Sequence, residues 1–403
     1  MSHPASPAAA VFATPFGDFA LTRYPEDPRD QLRAWDAADG YALRRLAGVP
    51  GPEGVDVPAV DLGGEVVVVG DRWGALTTAL AAHRPTLVTD SFLTVEATRA
   101  NVARNGAASA SGVRVVTTQE PVPARIDVLI VRVPKSLALL EDQLHRLAPS
   151  VHEDTVIVGT GMVTEIHTST LDLFSRILGP TRTTLAEKKA RLILTTPDPG
   201  LARPENPWPH SYALPRDVGA ASGHTVVNHA GVFCAERLDI GTRFFLGHLP
   251  GPAGQPTRVV DLGCGNGVVG TAVALADPSA SVTFVDESYQ AVASAEATFR
   301  TNVPDGDAEF VVGDALEGFP PGTADVVLNN PPFHSHQATT DAVAWRMFTG
   351  ARRALRPGGE LWVVGNRHLG YHTKLKRIFG NCEVVASDRK FVVLRAVKAG
   401  RRA

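Results

Sequence analysis

The stretch Val326 to Phe333, VVLNNPPF, carries a β-branched strand directly into Asn-Pro-Pro-aromatic. Two successive prolines can neither extend a strand nor begin an ordinary helical turn, so they fix the backbone where Asn330 projects. The side-chain carbonyl of Asn330 and the backbone carbonyl of Pro331 can then both accept hydrogen bonds from an exocyclic NH2 group, leaving its lone pair directed at an electrophile. Phe333 offers a ring face to a flat base. In isolation the segment fits equally well a turn after a buried strand.

It is not isolated. About 65 residues upstream, RVVDLGCGNGVVG (Arg258 to Gly270) places an apolar strand before glycines 263, 265 and 267 and a helical run from Val268 to Ala276. Gly263 and Gly265 allow close approach of a bound molecule, Asn266 belongs to the same cofactor loop, and Asp261 at the strand end can pair with a cation. The spacing is G-x-G-x-G, one residue short of the dinucleotide fingerprint. The next strand ends at Asp286, 25 residues after Asp261, where a carboxylate can take both ribose hydroxyls of a nucleoside. A third leads into Asp314, within reach of an adenine amino group. Each acid alone reads as well as a helix cap or a solvated turn; their order and spacing together point to a nucleoside-bearing cofactor.

The order DLGCGNG, VDES, GDA, NNPPF resembles class I S-adenosylmethionine-dependent methyltransferases that modify exocyclic amino groups. With VNHAGVFCAERLDIGTRFFLGHLP before the glycine loop and NRHLGYHTKLKRIFGNCEVVASDRKFVVLRAVK after it, the resemblance extends over nearly the whole chain to the RlmG/RsmC family of ribosomal RNA guanine-N(2) methyltransferases. The closing segment, with Lys374, Lys376, Gly380, Asn381, Lys390 and Phe391 to Leu394, is more similar to the large-subunit (23S) branch than to the small-subunit (16S) one. The resemblance implies S-adenosyl-L-methionine as cofactor, a guanine 2-amino group as acceptor and ribosomal RNA as partner. In that family the opening of the second domain closes over the cofactor, which makes Phe233 either an apolar contact there or a core residue. Adenine-amino and protein-glutamine methyltransferases use the same Asn-Pro-Pro-aromatic arrangement, and an RNA-binding assembly factor is the non-enzymatic rival.

These groups need a scaffold. Strands are expected at 259–262, 281–285, 309–312, 325–329, 360–365, 382–387 and 391–396, giving a doubly wound, mostly parallel seven-stranded sheet with Asp261, Asp286, Asp314 and Asn330 at strand carboxyl ends. A helix opening at Asp341-Ala342 turns Trp345, Phe348, Ala351 and Leu355 inward and stops at Pro357-Gly358-Gly359. A helix from Arg243 to His248 takes Asp239 or Thr242 as its cap.

The amino-terminal half repeats the pattern, with strands at 65–69, 86–89, 126–133 and 155–158. Aligning Gly70 and Gly74 with Gly263 and Gly267 sets Val68 opposite Asp261 and Arg72 opposite Gly265; spacing sets Asp90 opposite Asp286, and Arg132-Val133-Pro134-Lys135 opposite Asn330-Pro331-Pro332-Phe333. Arg132 and Lys135 either hold a phosphate backbone or pair with acids such as Glu141 and Asp142. The fold class is therefore α/β, two tandem Rossmann-like class I methyltransferase folds. Residues 1–194 form a degenerate domain that helps position RNA, 195–222 a proline-rich linker, and 223–403 the catalytic domain.

Composition fits a soluble cytoplasmic enzyme: 403 residues, 44% apolar and 20% charged, with no apolar stretch long enough to span a bilayer and no signal-peptide pattern. Three cysteines without CxxC spacing give no disulfide framework, and scattered histidines, His334 and His336 included, give no metal site. The net charge of −3 is uneven. From Ala344 onward 14 Lys and Arg face three acids, Glu360, Glu383 and Asp388. That surface suits a polyanion, with Arg367, Tyr371, Lys374, Lys376 and Arg377 as RNA-contacting candidates.

Overall fold

A computed structural model describes residues 10–28, 30–106, 112–252, 254, 257–332 and 337–400, with 337–340 described by backbone alone. The chain divides into two compact units, Met1–Pro207 and Trp208–Ala403.

In the first unit the strands are β1 (Ala10–Thr14), β2 (Gly17–Leu21), β3 (Val66–Val69), β4 (Thr86–Thr89), β5 (Arg114–Thr117), β6 (Ile126–Arg132), β7 (Val151–Met162), β8 (Thr181–Thr183) and β9 (Ala190–Thr195). In the second they are β10 (His210–Ala213), β11 (Thr225–Asn228), β12 (Arg258–Leu262), β13 (Ser281–Asp286), β14 (Ala308–Val312), β15 (Ala324–Asn329), β16 (Leu355–Asn366), β17 (Glu383–Ser387) and β18 (Phe391–Val397). Among the described residues each unit has a two-stranded hairpin and a seven-stranded sheet. The sheet orders are β5-β4-β3-β6-β7-β9-β8 and β14-β13-β12-β15-β16-β18-β17, one topology used twice.

The hydrophobic pattern explains why both sheets are covered on both faces. In the second sheet Val259, Phe284, Leu328, Trp362 and Val364 pack into one apolar cluster. Val260, Val285, Val327, Leu361 and Val363 pack into another, so alternate residues of each strand feed opposite cores. The first unit has the same two clusters, one holding Val66, Val68 and Ile130, the other Val67, Val69 and Leu129.

Three details differ from the sequence reading. Residues 210–213, within the stretch read as linker, pair with 225–228 as the hairpin of the second unit. The helix over Gln337–Ala354 runs directly into β16, and Pro357-Gly358-Gly359 does not separate them. Pairing along β15 and β16 jumps from Ala324↔Leu355 to Val326↔Glu360, so the proline and glycines sit in a bulge of the strand itself. The equivalent jump, Ile126↔Val151 to Val128↔Val156, occurs in the first unit. Finally, the helix beginning the second sheet layer spans Ile240–Leu246 and is capped by Asp239, whose Oδ2 accepts from Thr242 N–H at 2.8 Å.

Candidate active site

Strand order reverses at β12, whose neighbours are β13 on one side and β15 on the other. Crevices at such switch points, outside the strand carboxyl ends, are where open α/β sheets bind ligands. Leu262 pairs with Asn329 across β12 and β15. The glycine loop and Asn330 therefore leave the sheet side by side.

The three loop glycines are required for different reasons. All have left-handed φ, +71° at Gly263, +53° at Gly265 and +73° at Gly267. A Cβ at Gly267 would stand 2.6 Å from the Ala295 backbone, so that glycine seats the helix over Val268–Ala276. A Cβ at Gly263 would meet Met347 at 3.0 Å, whereas at Gly265 it would meet nothing within 4 Å among the described residues. Gly265 thus presents bare backbone to the crevice, the geometry suited to close ligand approach.

Around the loop the acids are largely occupied by the protein's own donors. Asp261 is 3% exposed, and its Oδ2 accepts from Gly270 N–H at 2.8 Å, holding the helix start. Burial pushes its carboxyl up to about 7 against that hydrogen bond, and Asp286 adds to the rise. Asp286 accepts from Gly265 N–H at 3.0 Å and from Ser288 N–H at 3.1 Å. Burial raises its pKa while these bonds oppose the rise. Asn266 is buried and donates from Nδ2 to Asn228 Oδ1 at 3.0 Å, tying the loop to β11. Asp314 is also buried and accepts from Arg346 Nη2 at 3.1 Å, a partner 32 residues away that no local pattern pairs with it.

Asn330 differs. Its Nδ2 donates to Thr242 Oγ1 at 3.0 Å, while its buried Oδ1 has no hydrogen-bond partner among the described residues. A buried acceptor without a donor is costly in a folded protein and calls for an explanation. Pro331 follows, itself buried. Phe333, His334 and His336 lie outside the described residues. Phe233 is 51% exposed, which removes the core alternative for that ring.

On the basic surface the structure separates the candidates. Tyr371 is a correction: it is 2% exposed, with its ring edge-on to Phe348 at 5.3 Å, so it packs in the core and presents no face to a base. Lys374 is half-buried, 3.0 Å from Asp341 Oδ1, and donates to Leu369 O. Arg367, Lys376 and Arg377 are exposed. Much of the remaining excess is spent internally, Arg356 on Asp325 and Arg395 on Glu360 and Glu383.

The first unit shows what became of the same positions. Gly70 N–H donates to Val88 O as Gly263 N–H does to Val285 O, at 3.1 and 2.8 Å. Ser91 N–H donates to Thr89 Oγ1 as Ser288 N–H does to Asp286 Oδ1, both at 3.1 Å. Thr89, not Asp90, therefore stands in place of Asp286, one residue from the spacing-based alignment. Val68 does stand opposite Asp261, and Asp71 in the loop takes over its task, accepting from Ala75 and Thr77 N–H at 3.0 and 2.8 Å.

Arg132 is 1% exposed and ion-paired with Asp36 at 2.7 Å, Glu165 at 2.8 Å and Asp39 at 3.4 Å. Arg72 joins Asp36 and Glu165. Of the two sequence alternatives for Arg132, pairing with acids holds, with Asp36, Asp39 and Glu165 in place of Glu141 and Asp142, and a guanidinium buried among them is not presented to a phosphate. Burial works against its charge, but Asp39, Asp36 and Glu165 keep it charged above its usual range.

A repeated Rossmann-like sheet with a glycine loop and Asn-Pro-Pro at the switch point of one copy defines the class as a methyltransferase fold. Residues 9–199 match the RLMG N-terminal domain, and residues 223–395 match the methyltransferase small domain. The chain is 72% identical to a ribosomal RNA large subunit methyltransferase G of Streptomyces avermitilis, covering 96% of this chain and 98% of that one. Identity to a Streptomyces coelicolor protein of the same name is 70%, over 96% and 99%. The chain belongs to the ribosomal RNA large subunit methyltransferase G family. A solved T. thermophilus 16S rRNA N2 methyltransferase (RsmC), in complex with AdoMet and guanosine, shares the fold with a TM-score of 0.72 at 21% identity, covering 97% of this chain and 98% of that one.

Proposed function

We propose that this protein methylates the exocyclic 2-amino group of a guanine in large-subunit 23S ribosomal RNA, using S-adenosyl-L-methionine. The observation that carries the reading is the buried Oδ1 of Asn330 at the switch point, which has no hydrogen-bond partner among the described residues, beside a glycine loop whose Gly265 has no described neighbour where a side chain would stand. Family membership over nearly the whole chain supports ribosomal RNA of the large subunit as substrate.

The cofactor supplies an activated methyl group on a sulfonium, so the protein mainly positions. Gly263 and Gly265 bring backbone to it, Asp286 and Asp314 serve its ribose and adenine, and Phe233 covers it. Asp261 and Asn266 keep the loop in shape through Gly270 and Asn228. Asn330 Oδ1 and the Pro331 carbonyl accept the two amino hydrogens of the guanine, which counters delocalisation of its lone pair into the ring. Phe333 holds the unstacked base. Arg367, Lys376 and Arg377 contact phosphates, Lys374 is held by Asp341 and Leu369 O beside them in sequence, and the amino-terminal unit positions the RNA.

The test is methyl transfer from labelled S-adenosylmethionine to protein-free ribosomal RNA from a strain lacking the gene. The two subunits' RNAs are assayed separately, with nucleoside mass spectrometry of the product. Label in 2-methylguanosine from 23S RNA is the expected result. Label in 16S RNA would reassign the subunit, and label in N6-methyladenosine would reassign the base.

A further inference from the structure

The two ends of an asparagine amide have nearly the same shape, so packing alone does not decide which end faces a substrate. For Asn330 the choice decides the chemistry. With Oδ1 outward it accepts from an amino group; with Nδ2 outward it sets donor against donor. Its neighbour Thr242, on the Ile240–Leu246 helix, settles the matter. The Thr242 hydroxyl has one proton, which it donates to Asp239 Oδ2 at 3.3 Å, and the same carboxylate oxygen accepts from Thr242 N–H at 2.8 Å. Only lone pairs are then left on Thr242 Oγ1 for Asn330, and they match Nδ2 at 3.0 Å.

We infer that Thr242 is a positioning residue for the transfer reaction, its hydroxyl oxygen holding the Asn330 amide with Oδ1 turned to the substrate amino group. Thr242 is buried, so water does not stand in for it. The first unit carries the same contact with altered chemistry. Asp36 caps its helix, Asp39 occupies the third helical position as Thr242 does, and Asp39 Oδ1 lies 3.4 Å from Nε of Arg132, the counterpart of Asn330. In both copies the third residue of this helix faces the side chain at the end of the switch strand, as ion partner of Arg132 in the first and as hydrogen-bond acceptor for Asn330 in the second. Only in the second copy is that acceptor matched to a neutral amide with a second end to spare.

The inference rests on the catalytic assignment of Asn330, and the experiment separates the two. Full-length Thr242→Val, Thr242→Ser, Asn330→Ala and the Thr242→Val/Asn330→Ala double variant are assayed for kcat and KM on 23S RNA, for S-adenosylmethionine affinity by calorimetry and for Tm. Thr242→Val is expected to lower kcat about 10- to 100-fold, the scale of a misplaced reacting group, with cofactor affinity unchanged. Thr242→Ser should restore kcat to within about threefold, and Thr242→Val should cost nothing further once Asn330 is Ala. An undiminished kcat in Thr242→Val, or the same loss in both backgrounds, overturns the inference while an Asn330→Ala slowed about 100-fold but still measurable preserves the catalytic reading. Wild-type kcat in Asn330→Ala overturns both. If Thr242→Val does not fold, Thr242→Cys, whose sulfur is a weak acceptor, is read by the same criteria.

Discussion

Asp286 Oδ2 accepts the N–H of Gly265 at 3.0 Å, so the carboxylate ending β13 and the bare backbone of the glycine loop are one mechanical unit. Removing that carboxylate removes both a ribose acceptor and the restraint on the loop. Asp286→Ala is expected to weaken S-adenosylmethionine binding by about 10- to 100-fold, the scale of one to two charge-assisted hydrogen bonds. Asp286→Asn should lose less, because an amide oxygen can still take the Gly265 N–H. Isothermal titration of the three proteins decides it; equal losses in Ala and Asn would assign the whole effect to charge.

Asn330→Ala should give the opposite split. The side chain is hydrogen-bonded to Thr242 and, among the described residues, not to the glycine loop, so cofactor affinity should stay within about twofold while kcat falls by roughly 100-fold or more, as for loss of an aligned acceptor in a transfer step. Single-turnover kinetics with saturating cofactor isolates the step. Cofactor binding lost in parallel with turnover would show that Asn330 belongs to the cofactor site and not to the base.

Strand positions and the Asn-Pro-Pro site were legible because each rests on short-range pattern: β-branched runs, glycines at fixed offsets, and paired prolines that end a strand. What could not be read lies between distant positions. Thr242 and Asn330 are 88 residues apart, and Arg132 takes one acid 96 residues upstream and another 33 downstream in preference to those next in sequence. The one-residue error at Asp90 arose because spacing counts residues, whereas register is set by hydrogen bonds such as Ser91 N–H to Thr89. Tyr371 was legible and was missed. With Leu375 and Phe379 it repeats every four residues on the Tyr371–Phe379 helix, an inward stripe with the cations on the other face.

The same helix gives a salt-dependence prediction. Ala substitution at Lys376, Arg377 or Arg367 should weaken RNA binding and reduce the slope of log K against log salt by about 1 for each lost phosphate contact. Tyr371→Phe should leave RNA affinity unchanged, since the ring faces Phe348. Filter binding across a salt series reads all four. An unchanged slope for the three cations would place the RNA surface elsewhere.

Arg132 supports a prediction confined to the first unit. Replacing it with Leu leaves Asp39 without its cation and Asp36 and Glu165 with Arg72 alone, which for a buried pair broken on one side costs about 3–5 kcal/mol. Calorimetry should show the amino-terminal transition shifted down and the S-adenosylmethionine affinity of the second unit retained. An unshifted transition would mean that the ion cluster adds nothing to the fold.

The last prediction concerns pH and Asp261. Its carboxyl is raised in the fold from 3.8 to about 7, chiefly by burial. Between those two values the folded protein holds a proton that the unfolded chain has released, so stability falls as pH rises through the window and levels off above about 7. Below 3.8 both states are protonated, the contribution is fully present and stability no longer changes with pH. Asp261→Asn keeps an acceptor for Gly270 N–H and has no proton to lose. The unfolding transition of the second unit, measured without cofactor, should therefore fall from pH 5.5 to pH 8 in the wild type and fall less in Asp261→Asn, with the variant the more stable at pH 8. Parallel curves would show that Asp261 is ionised inside the fold at both values, held so by the Gly270 N–H and the helix start behind it.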